Sequence, residues 1–165
     1  MKFTGRVWKF GDNIDTDVII PARYLNSMEE AYLASHAMEG IYPGFGEAVQ
    51  PGDIILAGRN FGCGSSREHA AIALKACGVS CIIAASFARI FYRNAINIGL
   101  PIFECEERAW EIADGTRVEV NAAAGVVTDL ASRRQFVIKP FPPFMQELIH
   151  RGGLMAYTAA KLRKQ

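Results

Sequence analysis

The stretch that most narrows what this chain can fold into runs from Asp53 to Cys105, where short apolar runs alternate with helix-length segments. Ile54 to Ala57 is a continuous apolar run, as a strand buried on both faces requires. Gly58 breaks it, and Arg59-Asn60-Phe61-Gly62-Cys63-Gly64-Ser65-Ser66-Arg67-Glu68-His69 follows. Gly62 and Gly64 free the backbone for conformations that other residues avoid. Ser65-x-x-Glu68 has the form of a capping box, so a helix is expected from Ser66 to about Cys77, stopping at Gly78. Val79 to Ala84 reads as a second buried strand, Ser86 as the cap of a helix from Phe87 to about Ile98, and Leu100 to Cys105 as a third strand. Connections this short imply parallel strands with right-handed crossovers, the βαβαβ core of an α/β fold.

A glycine loop feeding a helix start gathers unpaired N–H groups at the positive end of the helix dipole. Two hydroxyls and the Arg67 guanidinium sit at the same spot, and His69 lies one turn on from Ser65. Such a place receives an anion. Two serines, a guanidinium and a histidine within five residues exceed what capping a helix needs, which points to a functional site. Three familiar glycine-loop chemistries fail. A P-loop ends in Gly-Lys-Ser/Thr, whereas this loop ends Gly64-Ser65-Ser66-Arg67. A dinucleotide fingerprint needs a glycine where Arg67 stands and an acid where Ala84 and Ala85 stand. A hydrolase elbow needs Gly-x-Ser-x-Gly, which neither serine has.

Upstream, Gly5 to Phe10 alternates like a strand, and Gly11-Asp12-Asn13 turns. Asp15 and Asp17 would share one side of an extended segment leading into Val18-Ile19-Ile20. No third ligand is nearby, so they read as turn-stabilising acceptors for backbone amides rather than as a metal site. Ser27-Met28-Glu29-Glu30 is a second capping box, opening a short surface helix to about Met38 on which His36 is expected to be solvated. Ile41 to Gly46, rich in Gly and Pro, reads as a mobile loop. Arg89 and Arg93 share a helix face and read as solvated. Beyond Cys105 come a helical piece at 110–114, an antiparallel hairpin of 116–120 and 126–129, a strand at 136–139, and helices at 144–151 and 154–165.

At 165 residues, half of them hydrophobic and 21% charged, the chain is expected to form one domain over 1–165. A net charge of +1 gives no reason to expect nucleic acid or an anionic membrane as partner. No apolar run approaches the ~20 residues of a membrane span, and the first residues do not lead into a signal-peptide core. The expected location is the cytoplasm. Cys63, Cys77, Cys81 and Cys105 have neither zinc nor iron–sulfur spacing. Cys63, inside the glycine loop, reads as a space-filler rather than a reactive thiol. A cluster taking part in the chemistry would have to come from another chain.

The Arg59–His69 run resembles the signature of the swivelling domain of the aconitase superfamily. Asp15-Thr16-Asp17, Pro21-Ala22-Arg23-Tyr24-Leu25 and the segment from Ser86 to Pro101 are similar to the free-standing small subunits of 3-isopropylmalate dehydratases. The similarity covers nearly the whole chain. It implies an aconitase-type swivelling β/β/α domain, the parallel core joined to an antiparallel hairpin region, that closes over a [4Fe-4S] cluster held by a separate large subunit, with no metal bound by this chain. The implied reaction is dehydration and rehydration of a 2-hydroxy diacid. Ser65 would take the carbon-bound proton, and Gly64, Ser66 and Arg67 would bind substrate carboxylate, supported by Glu68, His69, Asp15 and Asp17. Preorganised N–H donors and the guanidinium are what a serine alkoxide requires, a guanidinium fork suits a carboxylate gaining charge, and the cluster would act as Lewis acid on the departing hydroxyl.

Tyr24, Leu25, Asn26, Ser27 and Met28 form the family's specificity segment. Homoaconitase-type subunits carry arginine there, whereas this chain has no charge, which suits an alkyl-substituted malate. Isopropylmalate leads, with 2,3-dimethylmalate, citraconate-type substrates and homoaconitate as alternatives. From other classes come a serine hydrolase using Ser65 and His69, and a non-catalytic dicarboxylate-binding module. Self-association of the isolated chain and the partner's stoichiometry are left open.

Overall fold

Continuous apolar runs place strands where both faces are covered. In the computed structural model, which describes residues 1–164, every residue of β2 (Ile54–Ala57) and β3 (Cys81–Ala84) is buried. With β1 (Lys2–Lys9) and β4 (Ile102–Glu104) they form a parallel set. β5 (Arg117–Asn121), β6 (Val126–Asp129) and β7 (Gln135–Val137) continue it antiparallel, giving the order β4-β3-β2-β1-β5-β6-β7. β1 is shared between the halves: Val7–Lys9 lie beside Ile54–Leu56, and Lys2–Arg6 beside Asn121–Arg117. At the handover stands Gly5, where any Cβ would collide with the Gly52 carbonyl.

The two edges of this sheet meet. Cys105 bridges Ile138, Lys139 N–H donates to the Glu104 carbonyl at 2.9 Å, and Glu106 N–H donates to the Val137 carbonyl at 3.0 Å. The sheet is therefore a curled, nearly closed one, and closure removes the open edges on which strands of other chains could pair.

α4 (Glu68–Ala76) and α5 (Arg89–Asn97) are the crossovers of the parallel half. α4 stops as expected: Gly78 takes φ +108, and its N–H donates to the Lys75 carbonyl at 3.2 Å. Ser86 does not cap α5, whose N-cap is Ala88. Its hydroxyl accepts from Asn60 N–H at 2.8 Å instead, bracing the glycine loop. α6 (Pro143–His150) and α7 (Leu154–Leu162) pack beside α5. The helical piece expected at 110–114 is a 3-10 helix at Glu107–Glu111.

Three local expectations need correction. The segment after Asp15 is not extended: it is a one-turn helix, α1 (Thr16–Ile19), because Asp15 Oδ1 accepts from Val18 N–H at 2.9 Å and acts as its N-cap. The second capping box does not form. Ser27 Oγ accepts from Glu29 N–H at 3.0 Å in a local turn, and α2 covers only Glu30–Ser35 with no side-chain cap. It does lie at the surface as expected, with Glu30, Ala31 and Ser35 exposed and Leu33 alone of its residues fully buried. The 41–46 loop is pinned by Phe45, which opens α3 (Phe45–Ala48) and packs edge-on against Trp8 and Phe10, with ring centroids 5.0 and 5.9 Å apart. An aromatic side chain inside a Gly/Pro-rich stretch was the anchor that its composition concealed. Among the described residues, no helix is long and apolar enough to cross a membrane.

Candidate active site

The glycine loop leaves the carboxyl end of β2, the end where open α/β sheets place their ligands. Two neighbouring segments clamp it. Asn13 N–H and Ala88 N–H donate to the carbonyls of Arg59 and Phe61 at 2.8 and 2.9 Å, and Thr16 N–H donates to the Cys63 carbonyl at 2.8 Å. The buried Thr16 hydroxyl donates to the Ser65 carbonyl at 2.9 Å. Gly62 and Gly64 take φ +82 and +94. At Gly62 a side chain would overlap Phe91.

Thr16 keeps the loop going two residues further than the capping box allows. The N-cap is Arg67, in extended conformation, and α4 starts at Glu68 with no side chain bonded to its first-turn amides. Ser65 neither caps the helix by its backbone nor spends its hydroxyl there. Ser65 and Ser66 are both exposed. Ala70 N–H is spent on the Arg67 carbonyl at 3.2 Å, so the helix start brings its dipole and its two earlier amides, those of Glu68 and His69, beside the two exposed serines.

Arg67 is held at their side. One Nη donates to Asp17 Oδ1 at 3.0 Å and to the Ile20 carbonyl at 3.3 Å, and its side chain is 18% exposed. Asp17 Oδ1 also accepts from Ala22 N–H at 3.1 Å. The Arg67 hydrogen bond, then that amide, hold the Asp17 carboxyl below its ordinary value of 3.8. The expectation that Asp15 and Asp17 accept from backbone amides thus holds, but their sequence spacing gave no sign that Asp17 orients Arg67.

A cavity of about 330 Å³ opens beside the loop, lined by Leu25, Ser66, Arg67, Glu68, His69 and Asn94. Ser65 stands exposed at the same loop, outside this lining. Of the 24–28 segment only Leu25 lines the cavity; Met28 is 49% exposed, and Ser27 is engaged in its own turn. Asn94 is the lining residue that sequence reasoning passed over, having weighed the exposed Arg89 and Arg93 of the same helix. It lies at the border of the face that buries Phe91 and Ala95. A second cavity, of about 380 Å³, is lined by Arg59, Glu107 and Trp110 among others. Asp12, Glu106 and Glu107 surround its one arginine, whereas the smaller cavity sets a single carboxylate, Glu68, against Arg67 and His69, so the smaller cavity is the better anion site.

All four cysteines are unpaired. Burial, then the nearby Asp15 charge, raises the Cys63 thiol, and burial pushes Cys77 and Cys105 up to about 11. These thiols stay protonated, the opposite of what nucleophile or ligand chemistry needs. Among the described residues no three of His, Cys, Asp and Glu converge as a metal ligand set.

The family model for the aconitase C-terminal domain matches residues 47–107, which span β2, the glycine loop, α4, β3, α5 and β4. A 3-isopropylmalate dehydratase small subunit from Syntrophus aciditrophicus is 60% identical over 163 residues, 99% of each chain. One from Caldicellulosiruptor saccharolyticus is 58% identical over 99% of this chain and 95% of its own. This chain belongs to the 3-isopropylmalate dehydratase small-subunit family. A crystal structure of 3-isopropylmalate dehydratase from Methanocaldococcus jannaschii matches with a TM-score of 0.92 at 44% identity, covering 99% of this chain and 98% of that one. The mixed α/β swivelling-domain fold expected of such a small subunit is the fold found. None of the relatives named here carries the name of an alternative dehydratase.

Proposed function

We propose that this chain is the small subunit of a hydro-lyase that interconverts 2-isopropylmalate and 3-isopropylmalate, the step leucine synthesis requires, and that it works only with a large subunit. The carrying observation is the glycine loop itself: two exposed hydroxyls stand next to a guanidinium that Asp17 has already aimed. Dehydration removes a proton from one carbon and a hydroxyl from its neighbour, leaving a C=C bond and water; rehydration returns them with the positions exchanged. Ser65 takes the carbon-bound proton, its oxygen stabilised by loop and first-turn amides. Arg67, with Ser66, binds the carboxylate next to that carbon, where negative charge builds as the proton leaves. Leu25 gives the cavity an apolar wall for the alkyl branch, and no cation stands in the specificity segment to hold a third carboxylate.

Among the described residues no ligand set for an iron–sulfur cluster converges, which supports placing the [4Fe-4S] cluster of the proposed enzyme on the large subunit. The setting is the cytoplasm, whose reducing conditions suit four unpaired cysteines.

Co-expression with the large subunit, anaerobic reconstitution and assay across alkylmalates test the proposal. Turnover of 2-isopropylmalate is expected to fall at least ~100-fold in Ser65→Ala, with the complex still assembling by gel filtration. Undiminished turnover would move the base elsewhere, and brisk turnover of homocitrate would overturn the substrate assignment.

A further inference from the structure

One side-chain cluster has no part in this chemistry. Its Tyr24 directly precedes Leu25, the apolar wall of the cavity. Tyr24 stacks on His36 with ring centroids 3.7 Å apart and planes 8° from parallel, and Tyr32 meets the two rings edge-on at 6.0 and 5.0 Å. The Tyr24 hydroxyl donates to Glu39 Oε1 at 2.8 Å. His36 Nδ1 lies 2.7 Å from Glu39 Oε2, and because an ionised carboxylate only accepts, Nδ1 carries the proton. Arg23 lies over the Tyr24 ring at 4.7 Å and reaches Glu39 Oε1 at 3.4 Å. Burial works to raise the Glu39 carboxyl, but the bonds from Tyr24 and His36 outweigh it and leave it below its usual value.

The segment so held is a 3-10 turn, Ala22–Tyr24, with no side-chain cap of its own. Such turns hold poorly alone. This one is fastened at both ends by carboxylates: Asp17, bonded to Arg67, takes the Ala22 amide, and Glu39 takes Tyr24. The position of Leu25 relative to Arg67 is therefore set by two fasteners, one of which runs through α2 and the turn after it.

We propose that His36 and Glu39 are positioning residues for substrate selection. By fixing the Tyr24 ring they hold Leu25 where the alkyl branch of a substituted malate is packed while its carboxylate sits on Arg67. The inference rests on the functional reading above and adds to it two residues that touch neither substrate nor the reacting atoms.

The test uses the reconstituted two-subunit complex with 2-isopropylmalate and, as the smaller competitor, 2-methylmalate. Glu39→Ala removes the bonds from Tyr24 and His36 together with the Arg23 contact; His36→Phe keeps the stack and drops one bond. Each is expected to raise KM for 2-isopropylmalate about tenfold with kcat within about twofold, and to narrow the preference over 2-methylmalate. Glu39→Gln, whose amide can accept from Tyr24 and donate to the other His36 tautomer, should restore most of the loss. Amide hydrogen exchange on the isolated chain should show lost protection at 22–28 in Glu39→Ala, with β2 and α4 unchanged. A fall in kcat at constant KM, or unchanged exchange at 22–28, overturns the assignment. A wild-type complex idle on every alkylmalate would sink the functional reading, and the exchange measurement would still decide whether the clamp exists.

Discussion

At the scale of single residues, the site is built by side chains doing a neighbour's work. Thr16 holds the Ser65 carbonyl, which keeps that serine out of the helix cap and its hydroxyl unspent. Asp17 holds Arg67, which under the proposed function sets a carboxylate clamp in place before any carboxylate arrives. Replacing Asp17 with Asn should leave the fold intact but lower kcat/KM by roughly tenfold to a hundredfold, since a displaced clamp misplaces the reacting carbon. The pH behaviour carries a sign. The folded Asp17 carboxyl lies below its ordinary 3.8, so its stabilising contribution is complete above that value and is lost as pH falls through the lower folded value. Melting curves of wild type and Asp17→Asn should therefore differ at neutral pH and converge in acid below about pH 3.8. Because Asp17 is 64% exposed, the difference is small and shrinks with added salt. Curves that converge already near neutrality would mean that the pair does not persist in solution.

At the scale of elements, the two loop glycines are not equivalent. Gly62 and Gly64 both take positive φ, but a Cβ at Gly62 would overlap Phe91, whereas one at Gly64 meets nothing nearer than Thr16 Oγ1 at 3.5 Å. Gly64→Ala should cost about 1–2 kcal/mol, the backbone term alone. Gly62→Ala adds overlap in a packed core and should cost about 3 kcal/mol or more. Chemical denaturation of both variants measures this, and equal losses would show that α5 yields to the intrusion. The same elements show what a sequence discloses. β2, β3 and β4 were legible because buried parallel strands need unbroken apolar runs, and the end of α4 because Gly78 completes its C-terminal turn. The capping boxes at 65–68 and 27–30 were misread for one reason: Ser-x-x-Glu is a local pattern, and a local hydrogen bond competes with others. Thr16, some fifty residues upstream of Ser65, won the first contest. A turn within 27–29 won the second. His36 looked solvated because nothing in its own segment announces that Tyr24 will lie flat against it.

At the scale of the whole molecule, closure of the sheet was beyond the reach of sequence reading, since it depends on β4 and the chain after β7 arriving at the same edge. That closure, with β1 shared by both halves, bears on whether the parallel and antiparallel parts are one unit. Phe103 of β4 stacks on Phe141 at 4.6 Å, and Phe3 of β1 meets Phe103 at 6.2 Å, so the core runs without a break from one half to the other. Trp8 reports on the parallel half: it is 9% exposed, packs on Phe45, and donates to the buried Asp53 at 2.9 Å. Phe136, 2% exposed, belongs to the antiparallel half. If the chain is one domain, Phe136→Ala should cost about 3–5 kcal/mol and shift the Trp8 fluorescence transition and the far-UV circular dichroism transition by the same amount, with Trp110→Phe as background to isolate the Trp8 signal. Coincident transitions are the mark of a single cooperative unit. A Trp8 transition that stays in place while the dichroism splits in two would mean that the antiparallel half unfolds on its own, and that β1 joins two domains rather than running through the middle of one.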